Sequence, residues 1–175
     1  MEDLNANRFF ENTSYHLSWS YPPIIITDHL KTPENLGQII RLAGNVGCSK
    51  VLAVHEDINL KLSKVRKMAD VAGEVVDWQF CTKEEVLQLL PKGYILTALE
   101  TAPHSKNIFA HTLPQKMALL VGNESKGISN YFLQKAEVRI HIPVMGPIKS
   151  LNVSHATSVC LFEWIRQQSI SNDLW

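Results

Sequence analysis

The segment Met117-Ala118-Leu119-Leu120-Val121-Gly122-Asn123-Glu124-Ser125-Lys126-Gly127-Ile128-Ser129 decides how the rest of the 175-residue chain is read. Its first five residues are apolar without alternation, which predicts a strand buried on both faces. Small polar residues and two glycines follow at once, so the strand empties into a loop able to meet a ligand. The same pattern recurs outward in both directions. Residues 24–26 (after Pro22-Pro23), 51–54, 74–78, 94–99 and 138–142 read as further strands. Between them lie amphipathic stretches. Leu36, Ile39, Ile40, Ala43 and Val46 recur at helical spacing until Gly47 closes the helix. Residues 60–69 read as a basic helix, and Thr82 with Glu85 forms a capping box opening a helix to Leu90. Residues 130–135 read as a short helix. Residues 151–168 read as a long one, with Val153, Ala156, Val159, Cys160 and Trp164 on its buried side. Alternating apolar strands and helices predict an α/β fold, with a mostly parallel sheet covered by helices on both faces. Residues 1–21 are expected to be a short N-terminal extension and 22–175 a single domain.

Composition narrows the function classes. Hydrophobic residues make up 45% and charged residues 19%, so the chain buries a core and is not intrinsically disordered. Seventeen basic residues balance seventeen acidic ones, which excludes nucleic-acid coating by bulk positive charge but leaves room for a local basic face. Cys48, Cys81 and Cys160 are scattered, with no CxxC pair, so neither a disulfide framework nor a structural zinc site is expected, and no metal. The opening residues MEDLNANRFF lack the basic and apolar regions of a signal peptide, and no apolar run reaches the roughly 18 residues of a membrane span. A cytoplasmic protein is the expectation, and the glycosylation matches at Asn12, Asn123 and Asn152 carry no meaning there.

In parallel sheets ligands meet the loops after the strands, and three such loops stand out. The first contains Asn35, placed to cap the following helix, and Arg41, six residues and about one and two-thirds turns further on. Arg41 reads either as a solvated arginine or, flanked by Ile40 and Leu42, as a bidentate phosphate holder. The second is the Gly122–Ser129 loop. It has the glycine spacing of a P-loop, but Ile128 stands where the phosphate-binding lysine belongs, so nucleoside triphosphate binding is not expected. The third runs from Ile142 through Pro143, Gly146 and Pro147 to Ser150-Leu151-Asn152-Val153-Ser154-His155, where Ser150 or Asn152 starts the last helix. Ser154 and His155 are no hydrolase pair, because helix neighbours point apart and no G-x-S-x-G elbow exists.

Together the loops are specific. Asn-x-Gly-x-x-x-Arg, Gly-Asn-Glu-x-x-Gly and Ile-Pro-x-x-Gly-x-x-x-Ser-Leu-Asn-Val-Ser, in that order, resemble the three motifs of the SPOUT superfamily. Within it they resemble the TrmH (SpoU) family of RNA ribose 2′-O-methyltransferases, over about residues 22–168. The resemblance implies a C-terminal trefoil knot, S-adenosylmethionine as cofactor, tRNA or rRNA as substrate, and a homodimer whose sites borrow residues across the interface. It implies a cofactor pocket lined by Ala98, Leu99, Gly122, Asn123, Glu124, Ile142 and Leu151. It also implies a catalytic cluster of Asn35, Arg41, Glu124, Ser150 and Asn152. Arg41 is commonly made the base in this family. A guanidinium holds its proton throughout the physiological range, which favours instead a clamp on phosphate and on the developing alkoxide and leaves the base open. Lys61, Lys64, Arg66 and Lys67, with no acid between them, form the best basic patch for RNA beside Arg41, and His104 to Asn107 a second polar loop. Phe162, Trp164 and Ile165 on the last helix exceed what one sheet face covers and point to the dimer surface. Two other classes fit the same motifs: a knotted RNA-binding or regulatory protein without activity, and a methyltransferase for a base or small molecule.

Overall fold

The computed structural model describes residues 19–55 and 61–171. Its strands are β1 (Ile24–Asp28), β2 (Lys50–Val54), β3 (Trp78–Cys81), β4 (Ile95–Leu99), β5 (Lys106–Asn107), β6 (Met117–Val121) and β7 (Val138–His141). They form one sheet in the order β3-β2-β1-β6-β4-β7-β5, and every pairing is parallel. β1 and β6 lie at the centre and are buried throughout, as an unalternating apolar run requires. β6 enters between β1 and β4, pairing Ile24 with Ala118 and Leu96 with Ala118 on its other side.

Helices cover both faces. On one, α1 (Pro33–Val46), α2 (Leu62–Ala69), the single turn α3 (Ala72–Val75) and α6 (Val153–Ser171) bury Leu36, Ile39, Ile40, Val65, Leu161 and Trp164. On the other, α4 (Lys83–Leu89) and α5 (Asn130–Lys135) bury Val86 and Phe132 against Leu52, Val54 and Leu120. The Thr82–Glu85 capping box forms as expected. α1 and α2 cross closely at Gly37, where an added methyl would sit 2.5 Å from the Val65 carbonyl oxygen.

Several local expectations are corrected. Pro33 occupies the first turn of α1 and Thr32 the cap position, so Asn35 lies inside the helix and not at its cap. The apolar Val75-Val76 pair is no strand. Residues 72–75 form a helical turn, only Val76 is buried, and β3 begins at Trp78 where Val51 finds its partner. Lys106 and Asn107, expected in a loop, make the edge strand β5 beside β7. Trp164 does not face a partner: it is buried, donates to the Pro114 carbonyl at 2.9 Å and meets Trp19 edge-on. Phe162 does remain exposed. Residues 1–18 of the expected extension, Asn12 among them, and Leu60, expected to open the basic helix, lie outside the described residues. All three cysteines are free thiols, and burial pushes Cys48 and Cys160 up to about 12.

Candidate active site

A cavity of about 420 Å³ opens at the carboxyl ends of β4, β6 and β7, against the start of α6. Leu99, Gly122, Ile142 and Leu151 line it as the sequence suggests, together with Asn123, Glu124, Ser150 and Asn152. Ala98 does not. Strand alternation turns it into the core beneath α4 and α5, where it is fully buried. Backbone forms much of the wall, and Gly122 is there by necessity. A Cβ on it would lie 2.3 Å from both the Gly127 carbonyl carbon and the Ile128 nitrogen.

The Gly122–Ser129 loop folds on its own side chain. Asn123 accepts hydrogen bonds from the Ser125 and Lys126 amides at 2.9 and 3.1 Å, and donates to the His29 carbonyl at 2.6 Å. Gly127 closes the turn with φ near 67°, a conformation open to glycine at little cost.

Glu124 joins this loop to the one after β1. One carboxylate oxygen accepts from the Lys31 amide at 2.7 Å. The other accepts from the Thr32 amide at 3.1 Å, the Asn35 side-chain amide at 2.6 Å and the Thr32 hydroxyl. Desolvation raises its pKa, but the hydrogen bonds from Thr32, the Lys31 amide and Asn35 outweigh it, and the net shift is downward. Glu124 is ionised at neutral pH with its lone pairs committed.

Asn35 extends the network. Its carbonyl oxygen accepts from Asn152 at 3.0 Å while its amide serves Glu124. Asn152 caps α6, accepting from the Ser154 amide at 2.9 Å, and the Ser154 hydroxyl lies 2.6 Å from both Asn152 and Gln38. Asn35 thus ties the start of α1 to two segments 89 and 117 residues further along the chain.

Arg41 stands apart. It does not line the cavity; its side chain is 60% exposed, 3.6 Å from the Asp70 carboxylate at the end of α2. Of the basic patch, Lys64 pairs with Glu34 at 2.7 Å, an acid on α1 that the sequence run does not reveal, while Lys61, Arg66 and Lys67 are exposed. Glu100 and His141 are among the cavity residues that sequence reasoning misses. Glu100 directly follows β4 and accepts from the Ile128 amide at 2.9 Å; His141, at the end of β7, meets the Ser105 hydroxyl at 2.9 Å. Both obey the strand-end rule that flagged the other loops. No group of three potential metal ligands occurs among the described residues. No helix among them is long and apolar enough to cross a membrane.

A parallel α/β sheet with a backbone-lined cavity at the ends of β4, β6 and β7 is a SPOUT-type arrangement. Residues 22–162 match the SpoU rRNA Methylase family, and the chain belongs to that family. It is 34% identical over 152 residues to the 23S rRNA (guanosine-2′-O-)-methyltransferase RlmB of Pasteurella multocida, covering 85% of this chain and 62% of that protein. The Haemophilus influenzae protein of the same name is 33% identical over 150 residues, covering 84% and 61%. The chain therefore spans about three fifths of the length of these relatives. An AdoMet-bound rRNA methyltransferase from Sinorhizobium meliloti superposes with a TM-score of 0.73 at 27% identity, over 83% of this chain and 56% of that one. The A. aeolicus TrmH/SpoU tRNA modifying enzyme shares the fold, with a TM-score of 0.74 at 24% identity, over 88% and 79%.

Proposed function

We propose that the protein transfers a methyl group from S-adenosylmethionine to a ribose 2′-hydroxyl of rRNA or tRNA in the cytoplasm. The observation that carries this reading is the Glu124–Asn35–Asn152 network bordering the cavity. The residues fit the cofactor. The cavity is within the usual size for small-molecule sites, Leu99, Ile142 and Leu151 give it apolar walls, and Gly122 lets the loop that borders it fold tightly on itself. Bound there, the cofactor supplies a sulfonium-activated methyl group.

The chain's own residues then position and polarise. Glu124 is saturated by four donors, so it holds the two loops in register and takes no proton from the substrate. Ser150 lines the cavity and is exposed, and we assign its hydroxyl to orienting the ribose oxygen. Asn152 spends its carbonyl on capping α6 and its amide on Asn35, which fixes the helix start beside Ser150. Arg41 clamps a substrate phosphate and stabilises the developing alkoxide, and it does so in the partner's cavity, since its exposed side chain lies outside its own. A homodimer follows, with exposed Phe162 on α6 as part of its contact. The C-terminal segment forms a trefoil knot, a reading supported by the insertion of β6 between β1 and β4.

The test is methyl transfer from labelled S-adenosylmethionine into RNA from cells lacking the protein. Nuclease mapping then looks for one alkali-resistant phosphodiester, the mark of a 2′-O-methyl. Label appearing on a base, or cofactor binding without any transfer, overturns the ribose assignment.

A further inference from the structure

A row of rings crosses the carboxyl edge of the sheet on the side away from the cavity, and nothing in the proposed chemistry uses it. His29 follows β1 and His55 follows β2; the register Asp28↔Val54 sets them level, on the face covered by α1 and α2. Phe80 on β3 lies two residues lower on the same face, opposite Ala53, with Trp78 two residues before it. Ring centroids step from His29 to His55 at 6.4 Å, His55 to Phe80 at 6.3 Å and Phe80 to Trp78 at 5.7 Å. Phe80 sits on an edge strand and is 39% exposed, more open than its half-buried ring neighbours His55 and Trp78.

The row is tied to the candidate site. The His29 carbonyl accepts from Asn123, the neighbour of Glu124, and its backbone is held at φ near 52°, a strained conformation for a non-glycine residue. Its ring is fixed by the buried Asp28 carboxylate at 2.6 Å, whose other oxygen accepts from the Ser129 amide. Positive charge lies on the same carboxyl edge, where α1 and α2 both start: Lys64 pairs with Glu34 in the first turn of α1, and Lys61 also acts on that carboxylate. One carboxylate thus faces two ammonium groups.

An exposed ring beside a half-buried one, with lysines on the same edge, suits a single RNA strand, bases stacking on the rings and phosphates meeting the lysines. We propose that His55 and Phe80, flanked by Lys61 and Lys64, form a stacking subsite for an unpaired nucleotide neighbouring the one methylated. The proposal rests on the RNA reading above. It makes the substrate a loop or unpaired segment, not a continuous duplex.

Fluorescence anisotropy with a short labelled oligoadenylate, and with a duplex of the same length, tests it. Phe80→Leu and His55→Ala should each weaken oligoadenylate binding about tenfold and leave the slope of affinity against salt unchanged. Lys61→Gln should lower that slope by about one. Phe109→Leu, an exposed ring near the opposite edge, should bind as wild type. Melting temperature and S-adenosylmethionine affinity should hold in all four. Wild-type oligoadenylate affinity in both ring variants overturns the subsite, as does an equal loss in Phe109→Leu or a change of oligomeric state alone, which would make the row a protein interface. If the wild type methylates cellular RNA while the ring variants bind normally, only the subsite fails. If it neither binds nor methylates RNA, the RNA reading fails with it.

Discussion

Replacing Glu124 by glutamine removes the charge but keeps the shape, so it isolates what the carboxylate does. Glu124 accepts four hydrogen bonds, from Lys31, twice from Thr32, and from Asn35. A glutamine keeps one acceptor oxygen for Thr32 and Asn35 and turns its own amide toward the Lys31 N–H, donor against donor. Hydrogen bonds to a charged group contribute about 1.5–3 kcal/mol against about 0.5–1.5 for neutral ones, so each bond that survives weakens by about 1–1.5 kcal/mol before screening. Glu124 is exposed, and solvent screening reduces the expected loss to about 1–2 kcal/mol. For a chain of this size that is a fall of about 2–8 °C in melting temperature at pH 7. The pH dependence has a definite sign. The folded-state pKa lies below the ordinary value of 4.5, so the stabilisation is complete above that value and disappears as pH falls through the lowered one. Wild type and Glu124→Gln should differ at pH 7 and converge in strong acid, as read by circular-dichroism melts across pH. Equal melting temperatures at pH 7, or a gap that stays unchanged however far the pH is lowered, would refute the clamp.

Further outcomes are expected. Arg41→Ala should lower single-turnover methylation by about 10²–10³ with S-adenosylmethionine affinity nearly intact, and Arg41→Lys should rescue little, since an ammonium lacks the planar fork. Mixing Arg41→Ala with Asn152→Ala chains should restore about a quarter of wild-type activity, because half the dimers are hybrids with one complete site; a cis-acting Arg41 gives none. Gly122→Ala should abolish cofactor binding in calorimetry, since its Cβ would overlap backbone atoms at 2.3 Å. Chelators should leave methylation of pre-folded RNA unchanged, and light scattering at micromolar concentration should report a dimer.

The sequence discloses the sheet because a strand covered on both faces must be apolar at every position, a local property visible at Met117–Val121. It discloses the Thr82 cap and the Asn152 cap for the same reason, since each is written within four residues. It hides what pairing alone defines. β5 has two residues and exists only because β7 lies beside it, so no periodicity can announce it. Val75 and Val76 look like a strand by composition, yet the ladder has no partner for them until Trp78. The Lys31 and Thr32 amides are invisible for a deeper reason: a backbone N–H carries no residue identity, and theirs are made functional by Glu124, more than ninety residues away.

Arg41 shows where a motif and a site part company. Six residues at 100° per residue carry it about 240° round α1 from Asn35. Asn35 is committed inward, to Glu124 and Asn152 of its own chain. The rotation therefore turns Arg41 toward α2 and solvent, where Asp70 meets it at 3.6 Å across half-open space. Exposed pairs at that distance contribute little, so Asp70 cannot account for an arginine being needed. One short motif thus holds a residue bonded to two cavity-lining side chains, Glu124 and Asn152, and a residue whose exposed side chain lies outside that cavity. The two belong to a single catalytic centre only if a second copy of α1 faces the first cavity, and on that reading the i, i+6 spacing is itself the trace of the dimer in the sequence.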